Sequence, residues 1–360
     1  KFPRSVQKSV HIVALALAAS VGLPAAAQDA SGPILFTNVN VFDGVSEALI
    51  ENANVVVTDN LITAVSTEPL AVAGGRVIEG GGRTLMPGLI DAHVHISWVI
   101  SSPYAMFDTT PGYQVALTLV EAEATLMRGF TSVRDTTGQV FGVKRAIDEE
   151  LFLGPRIWAS GSGISMTSGH GDFRYLSTLP RQMGGLAESE GERIGLIAFA
   201  DGVPEVLTAS RDQMRKGAHF LKMFTSGAVS GLRDPLDIAE FSFDEIKAAA
   251  DEAKRWNTYL AVHSYNDKGT RLALEAGAMA IEHGNLMTDE TMKLAAEKGA
   301  FLSTQTGVFL GAPPADWNAD QIAKQKATRE GLDTMFAAAK KYNVKIALGT
   351  DLVGPPSVKA

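Results

Sequence analysis

The sequence has 360 residues, of which 46% are hydrophobic and 20% charged; this is enough apolar material for a large folded domain and too much for a disordered chain. It contains no cysteine, which excludes disulfides, thiolate metal sites and a cysteine nucleophile, so any metal must be held by histidine and carboxylate-type groups. A net charge of −8 argues against a nucleic-acid partner held through phosphates.

Residues 1–27 carry Lys1, Arg4 and Lys8 ahead of an apolar run from Ile12 to Leu23, then Pro24 and Ala25-Ala26-Ala27. That order predicts a secretory signal peptide cleaved after Ala27, and with it a secreted or periplasmic protein that has no membrane attachment after cleavage. Removal of this segment takes the net charge from −8 to −11. Residues 28–85 read as a small β-domain segment, in which PILFTNVNVFDG, ENANVVVTDN and LITAVS are short β-rich runs broken by Asn, Asp and Gly.

From residue 86 the rhythm changes. Apolar runs at 88–96, 131–135, 155–161, 219–225, 259–264, 279–284, 300–305 and 344–351 alternate with amphipathic stretches at 113–128, 139–151, 206–216, 243–256, 268–276, 289–298 and 320–341. Ser242 is a candidate N-cap. Eight strands alternating with seven helices is the count of an α/β fold of the (β/α)8 TIM-barrel type over 86–360; an open doubly wound sheet is the alternative. Two long connections, 162–203 and 226–242, follow the third and fourth strands at the end where a barrel builds its active site.

The chemistry-bearing residues gather at those strand ends. His93 and His95 close the first strand, and side chains two apart on a strand share a side. His263 closes the fifth strand, His283 the sixth and Asp351 the eighth. Lys222 lies inside the fourth, in HFLKMFT, where an unpaired ammonium is costly. Taken singly, the histidines and the aspartate have ordinary structural readings; the buried lysine does not, and neither does the coincidence of all six at equivalent ends of five strands. His170, in the loop GISMTSGHGDF, and Arg233, in SGAVSGLRDP, are candidates for holding a substrate carboxylate. Arg134-Asp135 ends the second strand as a candidate supporting pair, and His219 sits at the opposite end of the fourth strand as a structural residue.

This order of residues resembles the amidohydrolase superfamily: H-x-H, then a strand lysine, two strand-end histidines and a final aspartate. The strings PGLIDAHVH, IEHG and LGTD are similar to the metal-dependent branch that holds imidazolonepropionases, Xaa-Pro and Xaa-Arg dipeptidase-like enzymes and ochratoxin-type amidohydrolases. The resemblance spans residues 87–351. It implies two divalent metal ions, with zinc favoured by the donors. His93, His95 and Asp351 would hold one and His263 and His283 the other, with Lys222 carboxylated on Nζ to bridge both. Asp351 would also carry a proton from water to the leaving amine.

After His263 the chain reads Ser264-Tyr265-Asn266-Asp267, without the glutamate that mononuclear deaminases place there. The implied reaction is therefore hydrolysis of a peptide-like amide, in a dipeptide or N-acyl amino acid with a free carboxylate. A cyclic-amide hydrolase of the imidazolonepropionase kind and a metal-binding, non-catalytic fragment are the alternatives. The last is an expectation because members of this type continue beyond the final aspartate with a helix and tail, whereas this sequence ends at Ala360. Self-association is left open by the sequence.

Overall fold

The structure, a computed structural model, describes residues 32–354, so the expected signal peptide lies outside the described residues. The chain divides into two compact units at Pro87/Gly88.

The first unit is a five-stranded sheet of β1 (Ile34–Val41), β2 (Ile50–Thr58), β3 (Leu61–Ser66), β4 (Arg76–Glu79) and β5 (Thr84–Leu85). β1 is its centre. It pairs antiparallel with β2 on one side, and in parallel with β4 and then β5 on the other. Asp59, at φ 53°, makes the turn from β2 into β3. Leu35, Val39, Ala53 and Val55 form its buried face.

The second unit holds β6 (Leu89–Val94), β7 (Phe130–Asp135), β8 (Arg156–Ala159), β9 (Gly163–Ser165), β10 (Ile197–Phe199), β11 (Leu221–Phe224), β12 (Leu260–Asn266), β13 (Ala280–Leu286), β14 (Phe301–Thr304) and β15 (Ile346–Leu348). The eight expected strands are present as β6, β7, β8, β11, β12, β13, β14 and β15, and the seven expected helices as Pro111–Met127, Phe141–Asp148, Val203–Lys216, Phe243–Arg255, Asp267–Ala276, Asp289–Lys298 and Ala319–Lys341. Ser242 opens its helix as expected, its N–H and hydroxyl both donating to Glu245 Oε2 (2.8 and 2.7 Å).

Among the described residues, all pairing between strands of this unit is parallel, in two arcs: β6-β7-β8, and β10-β9-β11-β12-β13-β14-β15. Single backbone bonds join the arcs into a ring. His219 N–H donates to Ala159 O (2.8 Å) between the third and fourth positions, and Asp351 N–H donates to His93 O (2.9 Å) between the last and the first. The result is the (β/α)8 order. Its third position is split: β8 pairs with β7, the chain bends at Gly161 (φ 74°), and β9 pairs with β11.

The connection 162–203 is not a structureless loop. It contains β9, β10, a short helix Glu190–Arg193 and a turn at Arg181–Met183. Its apolar residues Ile194, Leu196, Ile197 and Phe199 pack with Met106 and Phe224. Three-residue strands are too short to show an alternation in sequence, which is why they were not expected. Among the described residues, the connection 226–242 has no strand or helix beyond a bridge between Ser226 and Ala239.

Candidate metal centre

Adjacent strands of a parallel ring deliver their C-terminal residues to one cup, and here the register does so directly. Phe224 pairs with His263, His263 with Glu282, and Ser264 with His283. Three residues form the first group. His93 Nε2 lies 3.3 Å from His95 Nε2 and 3.4 Å from Asp351 Oδ1, and His95 Nε2 lies 3.1 Å from the same oxygen. Their donor atoms all fall within 4.8 Å of one another.

Each imidazole of this group is turned by a partner behind it. His93 Nδ1 bonds Glu282 Oε2 (2.9 Å) and His95 Nδ1 bonds the Thr137 carbonyl (3.2 Å). With Nδ1 donating, Nε2 presents its lone pair to the cup. Asp351 is brought in by Asp91, whose Oδ1 accepts from both His93 N–H (3.1 Å) and Thr350 N–H (3.0 Å). Gly349 permits the approach, since a Cβ there would lie 2.6 Å from His93 Cβ.

The second group is Lys222, His263 and His283, all buried. His283 Nε2 faces His263 Nδ1 at 2.9 Å, and the His93 and His283 rings lie 5.2 Å apart, which joins the two groups. Among the described residues, Lys222 Nζ, His263 Nε2 and His283 Nδ1 have no hydrogen-bond partner. His283 (φ 75°) and Asp351 (φ 54°) both have positive φ, a conformation uncommon outside glycine, although aspartate and histidine are among the side chains that enter it most readily. The turn at His283 breaks strand alternation, so that Glu282 and His283 are both buried and both serve the cup.

Burial sets the charge states. It drives His93 and His263 well below the ordinary imidazole value and His283 down to about 3, so the rings are neutral lone-pair donors at physiological pH. Burial also lowers the Lys222 amine to about 8, against the raising influence of Glu282. Asp351 runs the other way: burial would raise it, but His93, His95 and His283 pull it below the usual carboxylate range. Imidazoles facing each other at 2.9 and 3.3 Å, a carboxylate among them and a buried amine without a partner among the described residues are a donor set that fits divalent cations.

The remaining candidates are distributed unequally. The His170 ring stacks on His263 (centroids 4.5 Å apart, interplanar 17°) and packs edge-on against Phe224. Arg233 is exposed and donates to the Arg174 carbonyl (3.0 Å); no contact among the described residues joins it to the cup. His219 lies at the far end of β11, its Nδ1 accepting from Ala159 N–H. Arg134 and Asp135 do not pair with each other. Arg134 donates to Glu282 Oε1 (2.5 Å) and to Ala92 O, while Asp135 Oδ2 accepts from Ile96 N–H (2.8 Å). They are strand neighbours, and the Arg134 guanidinium goes to Glu282.

Glu282, Asp91 and Tyr265 were missed as contributors. Glu282 had the same signal as Lys222, a charge inside an apolar strand, in MAIEHG. Tyr265, buried and stacked on His283 at 4.3 Å, had none beyond its closeness to His263.

Residues 84–357 match the amidohydrolase family. The chain belongs to that family. An ochratoxinase from Aspergillus niger is 31% identical over 332 residues, covering 86% of this chain and 68% of that protein. The structure of a prolidase complexed with N-methylphosphonate-L-proline superposes with a TM-score of 0.80 at 31% identity, over 90% of this chain and 79% of that one. The structure of a Xaa-Pro dipeptidase with bound methionine superposes with a TM-score of 0.76 at 25% identity, over 89% of this chain and 80% of that one. This amidohydrolase is thus an enzyme that hydrolyses carbon–nitrogen bonds of amide or peptide-like compounds, in a family that is generally metal-dependent.

Proposed function

We propose that this amidohydrolase is an exported, binuclear-metal enzyme that hydrolyses the amide bond of a dipeptide or N-acyl amino acid whose leaving part has a free carboxylate. The observation that carries the reading is the cup itself: a compact His93–His95–Asp351 triad joined to a buried His263–His283 pair, with an amine beside them that has no partner. The resemblance to an ochratoxinase and to a Xaa-Pro dipeptidase supports the same class.

His93, His95 and Asp351 would hold one divalent ion and His263 and His283 the other, zinc being the ion this donor set suits. Held there, the ions would supply Lewis acidity toward the scissile carbonyl. Lys222 would join both through its carboxylated form: neutral Nζ attacks CO2, the N–C bond forms and one proton leaves, so that a neutral buried amine becomes an anion. The desolvation of the amine favours the neutral nucleophile that this addition needs. The Asp351 carboxylate would accept the proton of the attacking water and return it to the leaving nitrogen. His170, beside His263, would receive the substrate carboxylate. The apolar leader before Gln28 supports export.

The test is a zinc-loaded preparation assayed against dipeptides, N-acyl amino acids and cyclic amides, with metal counted per chain. Two ions per chain and cleavage of the carboxylate-bearing linear amides are expected. Fewer than about one ion per chain, or preference for cyclic amides, overturns the reading. Lys222→Ala is expected to lose the second ion and nearly all turnover; full turnover would remove Lys222 from the mechanism.

A further inference from the structure

Two carboxyl groups that the reaction does not use lie directly behind His170. Asp234 Oδ2 bonds His170 Nδ1 (2.9 Å) and accepts from Ala228 N–H (3.0 Å). Glu240 Oε1 accepts the backbone N–H of the same histidine (2.7 Å), and Ser165 Oγ holds its carbonyl (2.6 Å). Both acids are buried, Glu240 completely, and Glu240 Oε2 has no hydrogen-bond partner among the described residues. The packing leaves no slack, because a Cβ on Gly169 would lie 2.6 Å from that oxygen.

The segment carrying Asp234 is itself fixed from outside. Lys324 Nζ, on the helix Ala319–Lys341, donates to the carbonyls of Gly231 (3.1 Å) and Asp234 (3.2 Å), and Gln321 Nε2 donates to that of Ser230 (2.8 Å). One imidazole in a connecting segment is therefore held at its ring, its amide and its carbonyl, with its ring face laid on His263. A histidine that merely fixed a turn would need none of this. A buried carboxyl oxygen without a partner, such as Glu240 Oε2 among the described residues, is costly, so its retention calls for a reason.

We propose that Asp234 and Glu240 form a two-carboxyl clamp on His170, and that Glu240 is a positioning residue: through the His170 backbone it sets where the imidazole meets the substrate's carboxylate. This rests on the reading of His170 as the carboxylate-binding group. The two acids divide the task by charge. Burial would raise Asp234, but the His170 ring and the Ala228 amide hold it below the ordinary value, so it stays an anion against the ring. Burial raises Glu240 to about 9, so it stays a neutral acid that accepts the amide without adding a second charge.

Glutamine is a neutral isostere that keeps the acceptor, whereas alanine removes it. The experiment compares Glu240→Gln, Glu240→Ala and His170→Ala in the metal-loaded enzyme, on a dipeptide and on its C-terminal amide, with metal content and thermal midpoint recorded for each. Glu240→Ala is expected to raise KM for the dipeptide about tenfold, the scale of one charge-assisted hydrogen bond, with kcat within about twofold and KM for the amide unmoved. Glu240→Gln is expected to match the parent, and metal content to be equal in all variants.

An equal rise in KM for both substrates, or no rise, overturns the clamp, as does Glu240→Gln behaving like Glu240→Ala. If His170→Ala fails to separate dipeptide from amide, the reading of His170 is what falls; if His170→Ala separates them and Glu240→Ala does not, only the clamp falls. Should Glu240→Ala not fold, Gly169→Ala pushes on the same oxygen from the other side and is expected to give the same selective rise; a folded Gly169→Ala with unchanged KM overturns the proposal.

Discussion

The two halves of the cup are built on different principles. In the half made by β6 and β15, every imidazole has a polar partner behind it, Glu282 for His93 and Thr137 O for His95, so the donor atoms are aimed before anything binds. In the half made by β11, β12 and β13, the side chains are held by packing and by one contact between themselves, His283 Nε2 to His263 Nδ1: His263 lies between His170 and His283, and His283 against Tyr265 and Phe309, while Lys222 Nζ, His263 Nε2 and His283 Nδ1 have no hydrogen-bond partner among the described residues. The difference teaches that the first half is preorganised by hydrogen bonds, whereas the second carries uncompensated polar burial that weakens the empty protein.

Breaking the anchored half is expected to have the largest effect. Glu282→Ala removes the partner of His93 and leaves the Arg134 guanidinium buried without its carboxylate, a loss of about 3–5 kcal/mol in denaturant unfolding. Competition with a chelator is expected to show metal affinity reduced roughly 10–100-fold. A change below about 1 kcal/mol would mean that the relay Arg134–Glu282–His93 anchors nothing. The same kind of experiment in the other half is expected to have the opposite sign. Lys222→Met replaces a buried, partnerless amine by an apolar chain of similar length and stabilises the metal-free protein by roughly 1–3 kcal/mol, even as turnover is lost. Destabilisation would show that the amine has a compensating partner.

The last effect is a slope. His283 titrates near 3 when folded and near its ordinary value of about 6.5 when unfolded, so between those values the unfolded chain binds more protons and stability falls as pH drops. In the metal-free protein, His283→Asn is expected to flatten the stability curve by about 1.4 kcal/mol per pH unit within that window, read from urea unfolding at a series of pH values. An unchanged slope would place the imidazole in a more polar setting than its burial implies.

What the sequence disclosed follows from how strongly each feature repeats or stands out. Eight strands and seven helices were legible because each is long enough for an apolar run or a helical period, and Ser242 because a cap needs only local chemistry. Lys222 was legible as a charge in an apolar strand, and Glu282 carried the same mark without being assigned a role beside its neighbouring histidine. Arg134 was legible as a supporting residue at a strand end, but its partner Glu282 was not, because only the ring brings position 282 across from it. β9 and β10 were hidden by their three-residue length, and the Asp234–Glu240 pair by its dependence on two segments that meet only when folded.

Asp91 ties the first triad to closure of the ring. A single carboxylate oxygen on the first barrel strand takes amide hydrogens from His93 and from Thr350, at opposite ends of the barrel sequence, and Asp351 follows directly. In chain order, the H-x-H pair, Lys222 and two further histidines therefore all precede the residue that completes the first triad. Were the cup to hold a metal as proposed, capture by that triad would coincide with closure of the ring between its last and first strands.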